Sequence, residues 1–171
     1  MRTPGIVKRH PLAAAALALA GVAAAVFVLA FFEPQALFID DKVNEALPAA
    51  AVRGADEGAP RPRTLGRGAF RGLAHDASGT ASLIDVAGTR YLRFEDLNVD
   101  NGPDLKVYLA PAPASSDEGS FDDGILSLGD LRGNIGDQNY ELPAGVDLDR
   151  FRSAVVWCER FGVGFAVAPL T

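Results

Sequence analysis

Outside its N-terminal tail the chain has one sulfur and one imidazole, Cys158 and His75, and these are the side chains best suited to redox or ligand chemistry. A thiol acts as a nucleophile or a ligand only as thiolate, which asks for partial exposure and a positive neighbour. Cys158 closes the run Ala154-Val155-Val156-Trp157-Cys158 and precedes Glu159-Arg160, so a turn gives it access and Arg160 a charge. Three readings stand open: a small hydrophobe filling the core, a redox or ligating thiol, or a partner in an interchain disulfide. His75 lies in Leu73-Ala74-His75-Asp76. It reads either as a surface histidine bonded to Asp76 or to backbone, or as a second ligand or proton relay for Cys158. The second role requires the two side chains to meet in space.

Counting donors removes most metal chemistry. A blue-copper site wants two histidines and a cysteine. Iron–sulfur clusters and Cys/His zinc sites need more soft donors than the chain holds, and no C-x-x-C-H is present for covalent haem. The acidic stretch from Glu95 to Asp104 has oxygen donors at Asn98, Asp100 and Asp104, yet lacks the bidentate Glu of an EF-hand. Asn101-Gly102-Pro103-Asp104 is equally good turn chemistry. Gly129–Gly136 lacks the Lys-Ser/Thr of a phosphate loop and reads as a tight strand connection. The one exported histidine has no G-x-S-x-G elbow to serve, which argues against a hydrolase.

The elements that must position these residues are short alternating runs separated by Gly, Pro, Asn and Asp, the pattern of consecutive antiparallel strands. Candidate strands are Leu65–Leu73, Gly79–Val86, Arg90–Phe94, Asp104–Ala110, Ile125–Leu128, Asn139–Leu142, Ser153–Cys158 and Gly162–Ala168. Alternation in the seventh sets Val155 and Trp157 on one face and Ala154, Val156 and Cys158 on the other. Trp157 is expected to anchor the core, with Tyr108 and Tyr140 at its edge. No helical stripe lasts three turns beyond Val52; a single turn is expected near Asp147–Phe151. The fold class is all-β, an antiparallel β-sandwich or jelly roll over 64–171.

Ahead of that domain, Leu12 to Phe32 is uncharged throughout, and a helix of that length matches a bilayer's hydrocarbon core. Arg2, Lys8 and Arg9 precede it and Glu33, Asp40 and Asp41 follow. The expectation is a single-pass anchor with residues 1–11 cytoplasmic and the rest extracytoplasmic. A cleaved signal peptide, cut after Val28-Leu29-Ala30, is the alternative, but its apolar region would be unusually long. An apolar stripe at Ala36, Ile39, Val43 and Leu47 predicts a juxtamembrane helix, and 48–63 reads as a linker, so 33–63 forms a stalk. From Thr64 onward nine Lys/Arg face sixteen Asp/Glu, a net of −7 that disfavours nucleic acid and anionic lipid headgroups as partners.

Four blocks in register resemble the DM-thirteen domain family: Leu73-Ala74-His75 with Ser78-Gly79-Thr80; Gly102 to Leu109; Leu128 to Tyr140; and Val156-Trp157-Cys158 with Phe161, Val163, Phe165 and Ala168. The resemblance covers 65–171. It departs at Ala166, where glycine is common, and at Leu97, where an aromatic is usual; both look like packing changes. It implies electron transfer at a membrane surface, with Cys158 as bare thiol or haem ligand. Non-covalent haem would then have the Cys158 thiolate on one side and His75, a Tyr or water on the other. The partners expected are the bilayer through 12–32 and an unidentified envelope or redox protein. Against this stands a non-enzymatic envelope binding module with a buried structural cysteine.

Overall fold

The computed structural model describes residues 11–34, 39–48, 62–121 and 123–171. The chain divides into two units, residues 1–35 and 36–171. The first contains a helix, α1 (Pro11–Phe32), of 22 residues, none of them buried within the protein. Ala and Leu favour the helix, and Pro11 occupies the first helical position, where its missing N–H costs nothing. The helix is apolar on every side rather than on one stripe, and it is long and apolar enough to cross a membrane.

The second unit is a β-sandwich of two five-stranded sheets. One has the order β1 (Lys42–Asn44), β8 (Ile135–Glu141), β5 (Thr89–Val99), β4 (Ala77–Val86), β2 (Arg63–Ala69). The other runs β3 (Arg71–Gly72), β10 (Val163–Pro169), β9 (Ser153–Cys158), β6 (Leu105–Ala110), β7 (Leu126–Asp130). Every pairing is antiparallel except β1 with β8. The expected strand Leu65–Leu73 is broken at Phe70, where the chain leaves one sheet for the other and the Phe ring packs edge-on against Phe94.

The main core lies between the sheets, built from Leu92, Phe94, Val107, Leu109, Val156 and Phe165 among others. A second cluster covers the outer face of the β9 sheet: Val155, Trp157, Tyr108 and Val167 pack under Ala114 and Phe121 of the segment after β6. All six residues of β9 are therefore buried, which explains its unbroken apolar run. The face assignment within β9 is as the alternation predicts. Trp157, however, packs outside the sandwich rather than at its centre, while Tyr140 is buried between the sheets with Phe70, Phe94, Phe151 and Phe165. The Tyr140 hydroxyl donates to Gln138 Oε1 at 2.6 Å, and burial pushes its pKa up to about 12.

Two expectations need correction. Residues 95–99, read as the start of an acidic loop, continue β5. A bulge between Phe94 and Leu97 lets both point inward, with Asp96 at φ 50° donating its N–H to Asp137 Oδ1 at 2.9 Å. The juxtamembrane helix fails at 42–44, which form strand β1 alongside β8, while 35–38 and the linker residues 49–61 lie outside the described residues. Polar side chains hold β1 there rather than the apolar stripe. Asn134, 2% exposed, accepts from Asp41 N–H at 2.7 Å and donates to Val99 O at 2.9 Å. Glu45 takes Arg132 on one oxygen (2.6 Å) and Asn139 N–H on the other (2.8 Å). Burial raises the Glu45 carboxyl, but those hydrogen bonds outweigh it and leave it below its usual range. Arg93, its side chain 6% exposed, donates to Glu45 O at 3.2 Å and pairs with Asp137 at 2.6 Å. A buried guanidinium needs such a full set of acceptors.

Candidate functional site

Cys158 is the last residue of β9, with Leu105 and Val163 as its register partners on either side. It is wholly buried, within the main core. Its Sγ–H donates to the Pro103 carbonyl at 2.9 Å. Each of these features suits a thiol packed as a core residue.

His75 lies between β3 and β4, with its side chain 30% exposed. Its Nδ1 meets Asp100 Oδ2 at 3.0 Å, so the partner is Asp100 and not the neighbouring Asp76. The ring stacks on Phe165 with centroids 4.1 Å apart. Phe165 itself belongs to the core cluster that contains Cys158.

The segment Asp100–Asp104, joining β5 to β6, touches both candidates and forms a strap over this end of the sandwich. Asp100 holds His75, the Pro103 carbonyl receives the Cys158 thiol, and Asp104 O accepts Glu159 N–H at 3.1 Å. Gly102 lies so close to Phe165 that a Cβ there would stand 2.8 Å from Cζ. Asn101 Nδ2 reaches Ile39 O at 2.8 Å and so ties the strap to the segment before β1. Asp104, at φ 62°, pairs with Lys106 at 2.8 Å. Hydrogen bonds to Asp104 and Asp130 hold the Lys106 ammonium protonated far above the ordinary lysine range.

His75 and Cys158 thus share one end of the domain, joined through the strap rather than to each other. The pair does not fit haem as arranged. An axial thiolate needs an open approach to sulfur, whereas Sγ is sealed beneath Pro103 and His75 is engaged by Asp100 and Phe165. With the strap closed, the same burial keeps the sulfur from an interchain disulfide. Sequence reasoning missed Pro103 as the partner of the thiol and Phe165 as that of the imidazole. Asn-Gly-Pro-Asp announced a turn, but nothing in it announced what the turn would cover.

A separate groove lies beyond the opposite end of β9. It has a volume of about 520 Å³ and is lined in part by Arg90, Arg152 and Phe151. Among the described residues, no group of three or more His, Cys, Asp and Glu could hold a metal ion.

A family model described as Electron transfer DM13 matches residues 69–170. Comparison with curated proteins and with solved structures returns no match.

Proposed function

Since the chain belongs to the Electron transfer DM13 family, we propose that it is a membrane-tethered electron-transfer module whose reactive group is the Cys158 thiol, shut beneath the 100–104 strap. α1 retains it in the bilayer. Arg2, Lys8 and Arg9 keep the N-terminus cytoplasmic, and the sandwich stands outside. The observation that carries the reading is the strap itself, which meets the sulfur on its inner side and a half-exposed His–Asp pair on its outer side.

The chemistry is bounded by the single sulfur. With the strap lifted and the thiol deprotonated, the Cys158 sulfur attacks one sulfur of a partner disulfide. A mixed S–S bond forms and the partner's other sulfur leaves as thiolate. The chain has no second cysteine to resolve that bond, so a thiol from the partner or from solution must do so. Full burial favours a second reading, in which Cys158 is a packing residue of an envelope binding module.

Incubating the folded full-length chain with glutathione disulfide separates the two. The redox reading expects a mixed disulfide at Cys158 by mass spectrometry, forming faster in Asp100→Asn and His75→Ala. Adducts only after denaturation, in wild type and both variants alike, would establish the packing role.

A further inference from the structure

The strap holds an asparagine whose chemistry the thiol reading leaves unused. The chain has five asparagines, and only Asn101 is followed by glycine. Asparagine is thermolabile because the amide nitrogen of the next residue can attack its side-chain carbonyl. What that nitrogen is doing in the fold therefore decides which asparagine is at risk. After Asn44, Glu45 N–H is bonded to Asp137 O at 2.8 Å. After Asn98, Val99 N–H is bonded to Asn134 O at 3.1 Å, and after Asn134, Ile135 N–H to Asp41 O at 3.2 Å. Asn139 is followed by the buried Tyr140, inside β8.

Gly102 differs from all four. Among the described residues its N–H donates to no backbone carbonyl; its partner is Asn101 Oδ1 itself, at 2.8 Å. The nitrogen already lies against the carbonyl it would attack. No side chain on Gly102 stands in the way, and both residues are only half-buried, so water reaches them.

We propose that Asn101-Gly102 is a self-modification site, which deamidates in the folded protein and so loosens the strap. The Gly102 nitrogen bonds to Asn101 Cγ, the Cγ–Nδ2 bond breaks, and ammonia leaves with the proton that Gly102 gave up. Water then opens the resulting succinimide at either carbonyl, giving aspartate or isoaspartate with no change in oxidation state. The consequence is local. Asn101 Nδ2 now donates to Ile39 O at 2.8 Å and to Asp41 Oδ2 at 3.2 Å. A carboxylate there has no donor to offer and faces a carbonyl and a second carboxylate, so attraction becomes repulsion. Isoaspartate also lengthens the backbone just before Gly102, where an added Cβ would already stand 2.8 Å from Phe165 Cζ. Pro103, whose carbonyl holds the Cys158 thiol, is the next residue along. What a freed sulfur would serve rests on the electron-transfer reading; the deamidation and the loosening do not.

The test is to age the folded full-length chain in mildly alkaline buffer with detergent. Peptide mass spectrometry follows aspartate and isoaspartate at all five asparagines, and aliquots are alkylated to read Cys158. Conversion at Asn101 is expected at least tenfold ahead of the other four, and none at that position in Asn101→Gln. Cys158 should alkylate several-fold faster in Asn101→Asp and in the deamidated fraction of wild type, which was already folded when it was modified. Asn101 staying intact in the folded chain while it converts in urea, conversion no faster than at the other asparagines, or unchanged alkylation of the deamidated fraction would each overturn the proposal. A sulfur that is freed yet never forms a mixed disulfide with glutathione would defeat the thiol reading alone, and an intact Asn101 would leave that reading standing.

Discussion

At the scale of single residues, Cys158 is decided by one carbonyl. Its sulfur fills a site between Leu105 and Val163 and satisfies Pro103 O. Cys158→Ala removes both the packing and the donor, and should cost about 1–2 kcal/mol in urea denaturation of the domain. Gly102→Ala is a sharper probe, because its Cβ would stand 2.8 Å from Phe165 Cζ and must move the ring or the strap. It should raise the alkylation rate of native Cys158 several-fold, read by mass spectrometry. The sequence made the identity of the candidate thiol and imidazole legible, since each is alone in its half of the chemistry. It could not reveal that Asp100 rather than Asp76 holds His75. That choice depends on β4 and β5 bringing positions 75 and 100 together, a long-range consequence of register.

At the scale of elements, the strand alternation was readable wherever one face of a sheet was buried and the other wet. It was also readable in β9, where length and β-branching identified a strand buried on both sides. β1 was not, because three residues carry no period and its anchoring lies in Asn134, Arg93 and Glu45, far apart in the chain. Gly136 is the contact point: at φ 104°, an added Cβ would sit 1.9 Å from Val43 O. Gly136→Ala should detach β1 at a cost of about 1–3 kcal/mol, seen as lost hydrogen-exchange protection at the Glu45 and Ile135 amides. Glu45 adds an acid sensitivity. Its folded pKa lies below the usual 4.5, so its bonds contribute fully above that value and are lost as pH falls through the folded pKa. Glu45→Gln should therefore flatten the acid limb of the stability profile below about pH 4.5, measured as melting temperature against pH.

For the whole molecule, composition made an apolar helix long enough to cross a membrane and an acidic sandwich plain, but it did not mark 39–46 as part of that sandwich. The hydrogen bonds from 39–46 to Asn101, Asn134, Arg93 and Asn139 make that segment part of the sandwich. A fragment of residues 39–171 should consequently melt several degrees above one of 64–171, compared by calorimetry. The electron-transfer reading rests on the covered thiol at one end of β9. Its central claim is that the cover moves by itself. The most direct measurement is the alkylation rate of Cys158 in the folded full-length chain, set against the global unfolding rate under the same conditions. Strap opening predicts alkylation well ahead of unfolding and a further rise in Asp100→Asn; alkylation that merely keeps pace with unfolding, in wild type and variant alike, would contradict it.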